Sequence, residues 1–359
     1  MNEIKSGSPF AGWLKEIAAR GASDLHLGAG RPPTARVDGE LLPLEPDILD
    51  SAKVEEICLS LTPEGRRKEL EELGGADFAF AFAGDRYRTS VFLQRGSYAL
   101  VCRRIPHNRL SFDEIGAPAV LRSLANLPRG LVLVTGPTGS GKTTTLAALI
   151  HEVNLTRACH IVTLEDPIEF FHESEKAVVN QREVGEDVAS FSEALRRVLR
   201  QDPDVIMLGE IRDLETTAAA ITAAETGHLV LGTLHTTGAA RTVDRIIDQF
   251  PREQQEQVRT QLSVSLQAVV SQVLLPRADG KGRVAAFEVM VRNSAIENHI
   301  RKKETFKIPS VLQTSRRAGN MLLDESLVEL YRAGRITKEV MLDRACDRKD
   351  VETRLGGGA

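Results

Sequence analysis

The sequence predicts an α/β protein of more than one domain. An α+β module comes first, then a parallel-sheet domain, then a helical carboxyl-terminal region. Three observations carry this. From Gly130 onward, continuous apolar runs alternate with helix-compatible segments, the pattern of parallel strands covered on both faces. In the first hundred or so residues, shorter strand-like segments are broken by Gly84 and Gly96, as in an antiparallel sheet. At the head of the second pattern, Leu131-Val-Leu-Val-Thr135 runs straight into Gly136-x4-Gly141-Lys142-Thr143 and a helix-compatible stretch, a phosphate-binding loop in its strand–loop–helix setting.

At 359 residues the chain has room for two or three domains. Apolar content of 42% and charged content of 27% place it among globular proteins. A formal net charge of −4 gives no global basic field for nucleic acid or anionic lipid. Cys58, Cys102, Cys159 and Cys346 are far apart and form no CxxC pair, so neither a zinc ribbon nor a disulfide framework is indicated and a reducing cytoplasm fits. No signal peptide is visible and no apolar run nears the ~20 residues that span a bilayer. Direct membrane insertion is therefore not expected, and any membrane association runs through a partner.

Taken in order, residues 1–105 form the first module. Phe10 to Arg20 has helical spacing, Ser23–Leu27 alternates like a strand, and Asp38-Gly39 between strand-like flanks signals a hairpin. Helical charge patterns cover Ser51 to Leu73, and strands are expected at Asp77–Phe82, Tyr87–Gln94 and Tyr98–Ile105. Residues 106–128, punctuated by proline and Gly116, read as a linker region, with the connection near Pro106–Asp113. Residues 129–291 form the parallel-sheet domain, with strands at Leu131–Thr135, Ile161–Leu164, Val205–Leu208 and Leu229–Thr233 and a late strand at Val284–Val289. Ser190 with Glu193 reads as a capping box for a helix over Phe191–Arg200, and Asp213 as the cap of the next, Ala/Thr-rich helix. A long helix is expected from Arg252 to Gln272. Residues 292–359 are helical and charged, ending in a flexible Gly356-Gly-Gly-Ala359 tail.

The chemistry starts at the loop. Gly136, Pro137, Thr138, Gly139, Ser140 and Gly141 let backbone N–H groups turn in around phosphate oxygens, and the helix that begins with Lys142, Thr143 and Thr144 points its positive end at the same anion. Lys142 can reach the β- and γ-phosphates, and the Thr143 hydroxyl can ligate Mg²⁺. The chain is therefore expected to bind a nucleoside triphosphate, ATP with Mg²⁺. Hydrolysis also needs an acid on the metal side and a means of orienting water. Asp204-Val-Ile-Met-Leu-Gly-Glu210 puts Glu210 at the carboxyl end of a strand, where open α/β sheets bind ligands, as general base and as a Mg²⁺-side carboxylate through water. Glu165, Asp166 and Glu169 follow another strand in the same way; spacing alone reads them equally as a shell for metal-bound water and as a plain acidic turn. His228 and His235 bracket the Leu229–Leu234 run. His235 suits a hydrogen bond to the γ-phosphate or its water, while His228 suits packing. Arg86, Arg88, Arg103 and Arg104, with Arg241 and Arg245, are candidates for neutralising a transferred phosphoryl group, none favoured individually on the residues alone.

Together these stretches resemble the secretion-superfamily traffic ATPases, and within them the type IV pilus retraction ATPases. Ser23–Leu27 and Val37–Glu40 resemble the family's amino-terminal signature, Arg86-Tyr-Arg88 and Cys102–Pro106 its arginine strands, and Gly136–Thr143 its Walker A loop. Glu165–Glu169 resembles its Asp box, Leu208–Asp213 its Walker B region, and Gly227–Thr236 with Arg241 and Arg245 its His box. Ala295-Ile-Glu-Asn-His-Ile-Arg301 is similar to the retraction signature, departing at Glu297 and His299, and the four-cysteine motif of the assembly branch is missing. The resemblance implies a PAS-like amino-terminal domain, a RecA-like ATPase domain and a homohexamer. Arg86, Arg88 and Arg103 of one subunit would act in trans on the neighbour's nucleotide. It implies a cytoplasmic motor that is peripheral at the inner membrane, acting on a pilus platform protein to drive retraction and twitching. A related secretion ATPase, an accessory retraction paralogue and a RecA-like nucleic-acid translocase are the alternatives; the acidic balance and the lack of aromatic–basic runs weigh against nucleic acid as a partner.

Overall fold

The computed structural model describes residues 4, 7–37, 39–105 and 111–356. Asp38 of the expected hairpin, the stretch 106–110 at the expected connection and tail residues 357–359 lie outside the described residues. The chain divides into two units, Met1–Asn108 and Arg109–Ala359.

In the first unit, α1 (Pro9–Ala19) is capped by the Ser8 hydroxyl and buries Phe10, Trp13, Leu14 and Ile17, the face expected from their spacing. Strands β1 (Asp24–Gly28), β2 (Thr34–Val37) and β3 (Glu40–Pro43) precede helices α2 (Ser51–Leu61) and α3 (Glu64–Leu73). Strands β4 (Gly75–Phe82), β5 (Asp85–Gln94) and β6 (Ser97–Ile105) complete an antiparallel sheet in the order β3-β2-β1-β6-β5-β4. The helical stretch over Ser51–Leu73 is parted at Thr62, which is extended because the ring of Pro63 disfavours helix in the residue before it. β2 and β3 pair through Val37 and Glu40, the hairpin that the Asp-Gly pair predicts.

The second unit opens with the stretch expected to be a linker. From Phe112 it is a packed part of the unit: Phe112, Leu121, Leu124 and Ala125 are buried in its core, the last three on helix α4 (Val120–Ala125). Pro118 and Pro128 punctuate this folded segment. There follow β7 (Gly130–Thr135), α5 (Lys142–Thr156), β8 (His160–Glu165), β9 (Val178–Glu183), α6 (Phe191–Val198), β10 (Val205–Leu208), α7 (Leu214–Glu225) and β11 (Leu229–Leu234). Next come α8 (Ala239–Asp248), α9 (Gln255–Ser265), β12 (Leu266–Pro276) and β13 (Arg283–Val291). Helices α10 (Ser294–Arg301), α11 (Ile308–Thr314), α12 (Leu323–Arg332), α13 (Lys338–Arg344) and α14 (Arg348–Gly356) form the carboxyl-terminal region.

The sheet runs β13-β12-β7-β11-β10-β8-β9, parallel except for the β12–β13 pair. Alternate residues of β7 enter opposite cores. Leu131 and Leu133 pack with the α6–α9 side, while Val132 and Val134 pack with α4 and α5. The expected long helix over Arg252–Gln272 is corrected: it stops at Ser265, and Leu266–Gln272 begins the strand beside β7. A position buried on both faces next to the central strand outweighs the weak helical preference of that stretch. Among the described residues, no helix is long and apolar enough to cross a membrane.

Candidate active site

β7 delivers its last residue, Thr135, into a loop whose shape depends on glycine. Gly136 has φ +145°, and a Cβ there would lie 2.3 Å from the Gln272 carbonyl oxygen and 2.6 Å from Ser140 Oγ. Gly141, at φ +87°, starts α5 in a left-handed conformation that a side chain rarely adopts. Pro137, Thr138 and Gly139 are exposed, Ser140 is buried, and Thr143 and Thr144 are half-buried on the first turn of α5. Lys142 is only 8% exposed. Its Nζ donates to the carbonyls of Gly136 and Pro137, each at 3.0 Å. Burial lowers its pKa, and the carboxylates of Glu210 and Glu169 act against that shift, which places both acids within electrostatic reach of the ammonium. Ser140 Oγ is buried with no hydrogen-bond partner among the described residues. The loop thus offers glycine curvature, a buried cation and a spare hydroxyl donor, a set that fits a polyphosphate.

Residues missed in the sequence hold this loop. Gln272 of β12 accepts from Thr145 Oγ1 at 2.7 Å and donates to the Ser140 carbonyl at 2.6 Å. The expected helix ended at Gln272, which hid it; the β-branched Val269-Val270 and Val273 around it were the available strand signal. A cavity of about 660 Å³ adjoins Gly141 and Thr144 and is walled by Ile115, Leu274, Phe287 and Leu330, with room for a nucleoside.

Glu210 follows β10, one strand away from β7 across β11. Its approach is fixed by the neighbours on both sides. Gly209 N donates to the Leu164 carbonyl at 2.8 Å, Ile211 N donates to the Thr233 carbonyl at 2.9 Å, and Thr233 Oγ1 donates to the Gly209 carbonyl at 2.5 Å. A Cβ on Gly209 would press on Glu165 Cα and the Leu164 carbonyl at 3.3 Å, and one on Gly232 would lie 2.7 Å from Ile211 Cδ1. Held so, the largely buried Glu210 carboxylate pairs with Arg212 Nε and lies 3.7 Å from His235 Nε2. Arg212, well exposed, was not singled out in the sequence; its partnership arises from the bent chain after the strand.

The acidic cluster after β8 belongs to the same edge. Glu165 is 4% exposed and accepts from Thr163 Oγ1 at 2.6 Å and from Gln181 Nε2 at 3.0 Å. Burial pushes its pKa up to about 7 despite those donors. The Asp166–Pro167 peptide is cis, and Asp166 is exposed. Strand β9, not anticipated, braces this loop: Gln181 donates to the Phe170 carbonyl at 2.8 Å and accepts from His172 N at 2.7 Å, and Glu183 accepts from Ile168 N at 3.1 Å. Glu165 is thus buried and hydrogen-bonded, and Glu169 lies within electrostatic reach of Lys142.

His228 is not brought to the site. It precedes β11, whose first residue, Leu229, pairs with Gly130 at the far end of the sheet from the loop, and its Nδ1 lies 3.0 Å from the Ala223 carbonyl oxygen. Arg241 and Arg245 are exposed on α8. The start of that helix, just past His235, is capped from outside: Gly238 N donates to Ser271 Oγ at 2.9 Å and Ala239 N to Glu288 Oε1 at 2.7 Å. Arg241 acts electrostatically on Glu288. In the first unit, Arg88 stands directly opposite Arg103 across β5 and β6, with Arg86 two residues along the same face. Arg103 Nε is 2.9 Å from Asp24 Oδ1.

A phosphate loop between β7 and α5, with carboxylates and a histidine converging from β8, β10 and β11, defines a P-loop nucleoside triphosphatase. Residues 99–348 match the model of the Type II/IV secretion system protein family, and the chain belongs to that family. It is 49% identical to the type IV pilus retraction ATPase PilT of Pseudomonas aeruginosa over 91% of this chain and 95% of that one. It is 39% identical to the type IV pilus ATPase PilU of the same organism, over 98% and 92%. A crystal structure of the pilus retraction motor PilT with bound ADP matches with a TM-score of 0.90 at 45% identity, covering 98% of this chain and 100% of that one.

Proposed function

We propose that this chain is the ATP-hydrolysing motor of a type IV pilus retraction machine. The observation that carries the reading is the approach of Glu210 to His235 at 3.7 Å, with Glu210 within electrostatic reach of Lys142. The half-identity to PilT supplies the retraction role. In this reading Lys142 exchanges the Gly136 and Pro137 carbonyls for the β- and γ-phosphates, and the loop N–H groups hold the same oxygens. Glu210, kept in place by Arg212, orients and deprotonates the attacking water, with His235 beside it. The Thr143 hydroxyl and, through water, Glu210 are hard oxygen donors suited to Mg²⁺, which when bound neutralises charge on the phosphates. Glu165 and Glu169 order that shell.

The chain works as a homohexamer in which Arg86, Arg88 and Arg103 of one subunit complete the neighbour's site. Residues 1–105 and 129–291 act as PAS-like and RecA-like domains whose relative motion is transmitted to an inner-membrane pilus platform protein from the cytoplasmic side. Higher identity to PilT than to PilU supports the principal retraction role over the accessory one. Mixing tests the trans arrangement. Lys142→Ala chains and Arg88→Ala/Arg103→Ala chains, each inactive alone, should regain phosphate release together, because intact loops then meet intact arginines. No recovery at any ratio, with mixed oligomers demonstrated, would overturn it.

A further inference from the structure

Within the loop, Lys142 Nζ ties the Gly136 and Pro137 carbonyls together, and it must release both when phosphate arrives. Something else must then keep the loop in shape. Gln272 is placed for this. It is 2% exposed and sits on β12 just past the Ser271–Thr135 pairing, level with the start of the loop. Its carboxamide spans the loop's last turn, donating to the Ser140 carbonyl at 2.6 Å and accepting from Thr145 Oγ1 on α5 at 2.7 Å. The Ser140 carbonyl can only accept, so it fixes the amide orientation. The Gln272 backbone carbonyl oxygen meanwhile lies 2.3 Å from where a Cβ on Gly136 would sit, so one residue meets the loop at both of its ends.

We infer that Gln272 is a positioning residue for phosphate binding: it preorganises the loop so that Lys142 changes partners without the backbone rearranging. It touches no phosphate itself. Preorganisation acts on affinity by removing an ordering cost that binding would otherwise carry. The inference rests on the nucleotide reading above and adds to it a residue outside every motif the sequence displays.

The test uses the full chain, with ADP and inorganic pyrophosphate as separate probes. Gln272→Met keeps the volume and loses both bonds. Dissociation constants for ADP and pyrophosphate should rise together, by about tenfold, as expected for two lost buried hydrogen bonds. KM for ATP should rise in step, while kcat changes less than about threefold, measured below the lowered melting temperature that two lost buried hydrogen bonds entail. Thr145→Val, which removes one bond only, should move both constants the same way by a smaller factor, and it carries the test if Gln272→Met does not fold. Weaker ADP binding with unchanged pyrophosphate binding would assign Gln272 to the nucleoside side and overturn the inference. So would unchanged binding of both, or a loss confined to kcat. A wild-type chain that binds neither probe would overturn the functional reading, and this inference with it.

Discussion

Glu210 and His235 leave adjacent parallel strands, β10 and β11, and bring Oε2 and Nε2 to 3.7 Å, too long for a direct hydrogen bond and with room for little between them. The pair lies at the carboxyl edge of the sheet, on the side to which β7 delivers the phosphate loop. In the proposed function, that relationship separates binding from chemistry.

Glu210→Gln keeps the shape and removes the base of the proposed function. Phosphate release should fall by about 10²–10⁴-fold while ATP affinity stays near wild type, read from steady-state turnover and equilibrium binding on one preparation. Turnover like wild type would remove Glu210 from its assigned role.

In the proposed function the half-exposed imidazole acts on the attacking water and not in the phosphate cradle, so His235→Ala should lower kcat by roughly tenfold or more with little change in KM. His228→Ala should leave both constants alone, because His228 lies at the opposite end of the sheet. Equal effects of the two substitutions would refute this assignment.

Gly136→Ala places a methyl 2.3 Å from the Gln272 carbonyl at a backbone angle that alanine resists. A loss of ~2–4 kcal/mol in stability is expected, together with loss of nucleotide binding. Thermal melts with and without ADP check it; a variant with unchanged melting and binding would show that the loop tolerates a side chain there.

Glu165 sets a pH dependence. Its carboxyl is raised from 4.5 to about 7 by burial, so the folded chain holds this proton more tightly than the unfolded chain. The stability it contributes is therefore full below about pH 4.5 and is lost as pH rises through 7. Glu165→Gln is neutral throughout and its carbonyl can still accept from Thr163 and Gln181. Its advantage over wild type should grow from near zero at acid pH to ~1–3 kcal/mol at pH 8. Melting curves across that range decide it, and a difference that ignores pH would contradict the shift.

The phosphate loop, its flanking strand and helix, and the acid after β10 were legible because their signals are local: glycine spacing, an apolar run, a carboxylate one residue past it. The Ser190 and Asp213 caps were legible for the same reason, as each acts within three residues. What stayed hidden acts over distance. Gln272 reaches Ser140 across 132 positions, and its strand carries the glutamines and leucines that also suit a helix. Gln181 and Glu183 grip backbone groups of the preceding loop, and a backbone partner leaves no mark in the sequence. The boundary between the units, at Asn108 and Arg109, falls within the expected connection at Pro106–Asp113, but the packing from Phe112 on was hidden in the same way: its few apolar residues become core only through contacts with α5 and the sheet.

The outside capping of α8 by Ser271 and Glu288 carries a lesson for dissection. A fragment cut after the His-box stretch would display each signature of the nucleotide site, yet it would lack β12 and β13, and with them the braces beneath both the phosphate loop and the histidine turn. Such an excised cassette should be catalytically mute although those site residues are all present, so the minimal working enzyme extends at least to Val291.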